Sequence, residues 1–454
     1  MRKIGKIRTY SSSEIEDSYV SIGFECLDRE LFKPERCYDP LALTGVKYAR
    51  CQTGWARCEK EKGVYDFAWL DSVVDNLLSR GVKPWFNVGY GNSIYMPDVP
   101  NPTAVGCVPL YYGEECLEAW KGYVKALAEH FGTRITHYEI WNEPDSPSFW
   151  YPMKPSGAEY AKFVDMTAEI IRSVQPEAKI GICVSAIYWF KFVKETIESI
   201  GHNTIDFFAF HVYSRVPEYR YAGLVSSLRG ILDKNGFPNV ELWQGEGGYP
   251  SWAYEGHWLI KEGCDDERAQ AVWQLRRYFL DVYNGVKLSS FFQMADMWEK
   301  PYAKAVQVLK KPAAQGILNG LTYTPKESYK TIRNLSAIFS GDIAPTKNYM
   351  HVDLNYDSVM ELISCQTMTF KRNECSIYAY YLPLEIGKKH EMEYTASVFT
   401  NELLESPVLI DTYTGEVFEV EKISQNCGLI TYEDLPIKDY PLMLTEKGVF
   451  ELDE

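Results

Sequence analysis

Clustered Lys and Arg are missing from this chain. Its 47 basic residues are outnumbered by 62 acidic ones, for a formal net charge of -15, and no basic run interrupts that balance. Nucleic acid and anionic membrane surfaces are thereby excluded as main partners, since both are bound through concentrated positive charge. Long apolar runs are absent as well. The first 24 residues, "MRKIGKIRTYSSSEIEDSYVSIGF", hold no stretch resembling a signal h-region, and nothing later reaches membrane-spanning length. A cytoplasmic protein that engages no membrane is expected. Cysteine is present but unorganised: eleven residues, an odd number, scattered from Cys26 to Cys427 without a CxxC pair or a His at zinc-finger spacing. Free, mostly buried thiols are expected rather than a disulfide framework. The seven histidines form no HExxH or His-x-His group, so neither a metal nor another cofactor is expected.

What the chain does have is apolar and aromatic bulk. Hydrophobic residues make up 46% and aromatic ones 15% of 454 residues, enough for a large core and for rings with other uses. From about residue 19 to 340, short apolar runs alternate with helix-period segments, the pattern of β-α units around a parallel sheet. Eight candidate strands can be counted, at 20–25, 45–50, 82–89, 137–143, 178–185, 205–213, 240–246 and 288–298. The fold class this implies is α/β, a (β/α)8 TIM barrel. Between them lie amphipathic helices. Ser156 and Glu159 form a capping box ahead of an apolar stripe, and two other helices close on Gly81 and Gly285. Beyond about Gly341 the texture turns to alternating β-branched and aromatic runs, with a hairpin turn at Gly415. The expected organisation is an N-terminal segment over 1–18 that supplies a strand to the β-domain, a catalytic barrel over 19–340, and an appended β-sandwich over 341–454.

In such a barrel the active site forms at the C-terminal ends of the strands. Arg50 ends the second, Asn142 and Glu143 the fourth, His211 and Tyr213 the sixth, and Glu246 the seventh, while Trp298 closes the eighth. A Glu before Pro at a strand end, as in "IWNEP", reads by itself as a solvated turn residue. A second Glu at a matching strand end changes that reading. Glu143 and Glu246 lie 103 residues apart, about three β-α units of roughly 35 residues each, so a closed barrel sets them facing across its mouth. Paired carboxylates flanking a cavity are the equipment of glycoside hydrolysis, one protonated to serve the leaving oxygen and one ionised to attack the anomeric carbon. Glu139, earlier on the same strand, reads as an interior residue satisfied by a barrel Arg or Lys. Met294 and Met297 read as core. The glycines at 245, 247 and 248 fit a phosphate loop poorly, because no Lys-Ser/Thr follows.

"IWNEP", "WQGEGG", Arg50, "HVY" at 211–213 and a Trp after the eighth strand resemble the clan A glycoside hydrolases. Within that clan the β-xylosidase and α-L-iduronidase family, family 39, is the most similar. "GVKYARCQTGWARCEKEKGVYDFAWLDSVVDNLLSRGVKPWFNVGYGN" shares its cast, and the family carries an appended β-sandwich. The resemblance implies that Glu143 is the acid/base and Glu246 the nucleophile of a retaining, cofactor-free enzyme. By the same resemblance Asn142 bonds the sugar 2-hydroxyl, Arg50 and Tyr213 hold Glu246, His211 lines the pocket and Trp298 floors the subsite. The chain departs from many clan members in having no His at the end of the third strand, where Asn87, Tyr90 or Asn92 stand instead. Long loops after the strands carry Tyr95, Tyr111, Phe149, Trp150, Tyr249, Trp252 and Trp258, rings able to stack on pyranose faces. The function expected is retaining hydrolysis of a β-linked glycoside or short oligosaccharide, with a carbohydrate as partner. A catalytically silent carbohydrate-binding barrel and a transglycosylase using the same residues are the alternatives.

Overall fold

The computed structural model describes residues 1–99, 101, 103–186, 190–253, 259–260, 266–297, 313–355, 364–387 and 394–453. The first strand, β1 (Arg2–Ile7), precedes eight strands that close into a parallel barrel: β2 (Val20–Gly23), β3 (Tyr48–Gln52), β4 (Lys83–Val88), β5 (His137–Ile140), β6 (Lys179–Val184), β7 (Phe207–Phe210), β8 (Glu241–Gly247) and β9 (Leu288–Phe291). Each falls within or overlaps one of the eight segments expected from the apolar runs. Closure is made by β9 pairing with β2, in register Val20 to Ser289 and Ile22 to Phe291. Helices follow the strands in turn, among them Ala68–Leu78, Gly157–Val174 and Glu267–Tyr283, the three whose ends were legible. Ser156 Oγ accepts from the Glu159 amide, and Asp266 does the same for the Ala269 amide, satisfying donors that the first helical turn leaves open. The capping box is only half closed. The Glu159 carboxylate turns away to accept from Tyr111 Oη.

The barrel interior is layered. Near the N-terminal ends of the strands, Phe207 and Trp243 stack at 4.0 Å and Trp85 meets Trp243 edge-on at 5.2 Å, a dry plug of rings each worth about 2–3 kcal/mol on burial. Above it the inward residues become polar. Arg50 lies over the Trp85 ring, 5.6 Å from its centroid, and is wholly buried.

The C-terminal residues form two antiparallel sheets from β10 (Ile343–Pro345), β11 (Met350–Asn355), β12 (Gln366–Arg372), β13 (Cys375–Tyr381), β14 (Tyr394–Thr400), β15 (Pro407–Asp411), β16 (Glu416–Glu419), β17 (Ile423–Asn426), β18 (Leu429–Ile437), β19 (Leu442–Glu446) and β20 (Leu452–Asp453). One sheet runs β10-β12-β13-β19-β15-β16-β1-β20 and the other β11-β14-β18-β17. The N-terminal stretch thus provides β1 between β16 and β20, and the β15–β16 hairpin turns at Gly415, whose φ of 75° suits a residue without Cβ.

Barrel and sheets share a dry seam. Phe279 and Phe339 meet at 4.9 Å, and Phe370 lies 5.9 Å from both. Beside them Arg276, 1% exposed, forks onto both oxygens of Glu218 at 2.7 and 2.6 Å, while Tyr381 from β13 donates to the same carboxylate. Removing one partner of such a pair leaves the other charged in a dry setting, which costs more than the pair contributes. Arg276→Ala is therefore expected to destabilise the protein by about 3 kcal/mol in urea unfolding at pH 7, and Arg276→Met with Glu218→Leu by much less. An equal loss in both variants would mean that the ion pair is not what the seam needs.

Candidate active site

Arg50 is the centre of the polar layer. Its Nη1 donates to Glu25 Oε2 at 2.8 Å and to Glu246 Oε2 at 3.1 Å. Its Nη2 donates to Glu139 Oε1 and, at 2.8 Å, to Asn142 Oδ1. Asn87 Nδ2 donates to the same Glu139 oxygen at 2.7 Å, so Glu139 is paired with a barrel cation as expected, through that one oxygen. Because a guanidinium only donates, the oxygen of the Asn142 amide must face Arg50. That orientation leaves the Asn142 NH2 without a hydrogen-bond partner among the described residues.

Strand alternation would send Asn142 and Glu143 to opposite sides. The backbone defeats it: β5 ends at Ile140, and Trp141 and Glu143 adopt left-handed φ of 66° and 47°, at a cost of about 1–3 kcal/mol each. In return both side chains reach the same cluster. Glu143 Oε1 lies 2.9 Å from His211 Nδ1 while its neighbour bonds Arg50. Simple alternation does suffice along β7 and just past its end, where Phe207, Ala209, His211 and Tyr213 share one parity and run from the ring plug to the mouth.

Glu246 is delivered by an irregularity. The pairing of β8 with β9 shifts register between Gln244 and Gly247, a bulge of the kind that re-aims a side chain. The neighbouring glycines answer to close approach. A Cβ at Gly245 would lie 3.1 Å from His211 Nε2, and one at Gly248 would lie 2.3 Å from the Phe292 carbonyl oxygen. Both oxygens of Glu246 then accept: Oε1 from Tyr213 Oη at 2.6 Å, Oε2 from Arg50 at 3.1 Å.

The two strand-end glutamates are near neighbours in unlike settings. His211 Nδ1 stands between them, 2.9 Å from Glu143 and 3.5 Å from Glu246, and one oxygen of each carboxylate lies within 4.8 Å of the other. Burial, reinforced by Asp145 and Glu139, pushes the Glu143 carboxyl up to about 8 against the pull of Arg50. Burial likewise pushes His211 down to about 4, so its imidazole is neutral across the physiological range. Glu25 is raised well above the ordinary carboxylate range, first by burial and then by Glu246 and Glu139, with Arg50 opposing. One guanidinium cannot neutralise every carboxylate around it, and the cluster therefore holds protons.

Of the expected site residues, Arg50, Asn142, Glu143, His211, Tyr213 and Glu246 come together. Trp298 and Trp258 lie outside the described residues. Among the described residues, the end of the eighth strand sets Phe292 against Tyr213, 6.4 Å away at 79° and 8% exposed. The reading of the loop aromatics as sugar platforms needs correction. Trp150 and Tyr249 are fully buried, and Tyr95, Tyr111 and Phe149 pack on the core. Each has a partner that explains it: Tyr95 stacks on Trp55, Phe149 on Tyr90, and Trp150 donates to Tyr111 Oη. Trp252 is 44% exposed. Met294 and Met297 are core, and ten described cysteines are free, seven of them buried. Sequence reasoning missed Glu25, two residues past β2, and Cys183 on β6, whose Sγ lies 3.3 Å from His211 Nε2. The inward parity of β2 could have flagged the first, since Ser21 and Gly23 precede it in step.

Among the described residues, Glu143, His211 and Glu246 could offer three ligand atoms to a cation. Arg50 already sets a fixed positive charge on the Glu246 oxygen nearest His211, which opposes a second cation there.

A closed (β/α)8 barrel with two glutamates facing across its mouth, an Arg beneath them and an Asn beside the first is the arrangement that the motifs' resemblance to clan A glycoside hydrolases implies. Comparison with known proteins finds likeness to one family in part of the chain. Residues 42–227 match the family model for glycosyl hydrolases family 39. The chain is 25% identical over 216 residues to a β-xylosidase of Geobacillus stearothermophilus and 24% identical over 234 residues to one of Caldicellulosiruptor saccharolyticus, matches that cover 40% and 47% of this chain and 40% and 44% of those proteins. It thus spans less than half the length of the curated relatives it matches. In fold it is similar to a family 39 glycoside hydrolase of Bacteroides cellulosilyticus, with TM-score 0.69 and 16% identity over 97% of this chain and 83% of that one. It is also similar to a family 39 β-xylosidase of Caulobacter crescentus, with TM-score 0.55 and 16% identity over 98% and 97%. Together these findings support the family 39 resemblance read from the motifs.

The raised Glu143 carboxyl has a consequence for stability. Between the ordinary value of about 4.5 and the folded value of about 8, the folded state holds a proton that the unfolded chain has released. Its stabilising contribution is therefore complete below about 4.5 and lost as pH rises through 8. Glu143→Gln carries no such proton. Relative to wild type it is expected to gain about 2–4 kcal/mol in unfolding free energy between pH 4 and pH 9. Urea titrations at both pH values measure this, and a constant difference would show that Glu143 titrates as an ordinary carboxyl.

Proposed function

We propose that the protein is a retaining glycosidase that hydrolyses β-linked xylosides or closely similar short glycosides by double displacement. Glu246 attacks the anomeric carbon while Glu143 gives its proton to the departing glycosidic oxygen, and a glycosyl ester forms on Glu246. Glu143, now ionised, takes a proton from water, whose oxygen attacks the same carbon and frees Glu246. The single observation that carries the reading is the pair itself. One carboxyl is pushed up to about 8 and the other accepts from both Arg50 and Tyr213, with oxygens of the two within 4.8 Å.

Separation bears on the stereochemistry. Retaining enzymes hold the two carboxyl groups roughly 5–5.5 Å apart and inverting ones roughly 6.5–9.5 Å, because only the latter must fit a water between carboxylate and sugar. The approach within 4.8 Å favours the former. The open NH2 of Asn142 suits the sugar 2-hydroxyl, a contact that strengthens as positive charge develops at the ring. The xyloside assignment rests on the two β-xylosidase relatives. A silent binding barrel is disfavoured, since binding alone gives no reason to raise one carboxyl and pin the other.

Hydrolysis of an activated aryl β-xyloside, within a panel of aryl β-glycosides, tests the assignment. Glu246→Gln is expected to lose activity by at least roughly 10⁴-fold; Glu143→Gln should lose about 10²–10⁴-fold on poor leaving groups and less on activated ones. The kcat/KM of wild type should fall as pH rises through about 8, where Glu143 gives up its proton. Unchanged turnover in either variant, or a basic limb that persists in Glu143→Gln, would overturn the roles given.

A further inference from the structure

Cys183 has no place in the steps above, yet it touches the residue between the two acids. Its Sγ is 3.3 Å from His211 Nε2, and both side chains are fully buried. The contact is built from several sides. Tyr160 Oη accepts from the Cys183 amide at 3.0 Å and donates to the Ile140 carbonyl at 2.7 Å, tying the sulfur-bearing strand to the end of β5, three residues before Glu143. The absent Cβ of Gly245 leaves the imidazole its room.

The protonation of this contact follows from what faces the ring. Nδ1 sees two carboxylate oxygens, Glu143 Oε1 at 2.9 Å and Glu246 Oε2 at 3.5 Å. A lone pair on Nδ1 would be repelled by Glu246, whose two oxygens already accept from Arg50 and Tyr213; an N–H there attracts both. A neutral imidazole with its proton on Nδ1 has a bare Nε2, which needs a donor in this dry setting. The thiol is that donor. Glu139, which has an oxygen within 4.8 Å of the Cys183–His211 pair, is held by Arg50 and Asn87 rather than by the ring.

Resting on the glycosidase reading, we propose that Cys183 is a positioning residue: its S–H donates to His211 Nε2, fixes the Nδ1–H tautomer, and thereby places the acid proton of Glu143 on the oxygen that His211 does not touch. The chain of donors runs Cys183 S–H to Nε2, then Nδ1–H to Glu143 Oε1. Oε1 is occupied as an acceptor, so the transferable proton sits on Oε2, the oxygen left for the glycosidic bond. In the reverse arrangement, with N–H pointing to sulfur, Nδ1 would draw the Glu143 proton onto Oε1 and away from the leaving group.

Two measurements test this. Long-range imidazole ¹⁵N spectra of histidine-labelled wild type at pH 6 to 7 read the tautomer without reference to activity. His211 should carry its proton on Nδ1 and a bare Nε2, and a proton on Nε2 overturns the proposal even if the enzyme hydrolyses xylosides as expected. In kinetics, Cys183→Ala should lower kcat/KM by roughly tenfold on a β-xyloside with a poor leaving group, the scale of one buried hydrogen bond, and by less than about threefold on an activated aryl β-xyloside. Cys183→Ser, whose hydroxyl can donate in place of the thiol, should recover most of the loss. Equal losses on both substrates, or a serine variant no better than the alanine one, would mean that Cys183 only fills space. If wild type hydrolyses nothing, the glycosidase reading fails, and the spectra still decide the tautomer.

Discussion

Everything at the mouth of this barrel is arranged around the buried guanidinium of Arg50. Its two terminal nitrogens reach Glu25, Glu139, Asn142 and Glu246, which arrive from three different strand ends. Few other groups could do this, because the fork presents its donors in a fixed plane and cannot lose its proton. A buried charge is expensive, and the surrounding carboxylates repay that expense only while the geometry is kept. The same requirement therefore fixes Glu246 in place, turns the Asn142 amide outward and limits how many of the acids can be ionised together.

The backbone supplies what side-chain chemistry cannot. A regular strand alternates its side chains, so it cannot present Asn142 and Glu143 to one cluster, nor aim Glu246 between Tyr213 and Arg50 on its own. Two left-handed residues after β5 and a bulge in β8 break the alternation where it has to be broken. The ring plug of Trp85, Phe207 and Trp243 below is regular and dry, and gives these irregular segments a rigid floor. The division matches a general pattern in which strain collects at working sites and stability lies elsewhere.

How much of this was legible in the sequence follows from which interactions are local. The eight strands could be read because each is a short apolar run between polar helices, and the strand ends then named Arg50, Glu143, His211, Tyr213 and Glu246 as neighbours. Glu25 was legible only as an inward-facing position and Cys183 not at all, since their contacts with Arg50 and His211 are made to other strands. The loop rings misled for a related reason. A Tyr or Trp in a long Pro- and Gly-rich loop looks free to meet a sugar, but rings such as Trp150 and Tyr249 are what gives those loops a core. At the eighth strand the sequence points to Trp298, which lies outside the described residues; among those described, Phe292 stands just past the strand end against Tyr213.

The claim on which the account stands is that Glu246, pinned by Arg50 and Tyr213, becomes covalently bonded to the sugar. A 2-deoxy-2-fluoro-β-xyloside with a good leaving group slows both steps and the second more, so the glycosyl ester accumulates. Intact-protein mass spectrometry followed by peptide mapping reads the result. One added fluoroxylosyl unit is expected on the peptide containing Glu246, released when a sugar acceptor is added. No adduct on a protein that turns over the parent xyloside, or an adduct on any other residue, would contradict it.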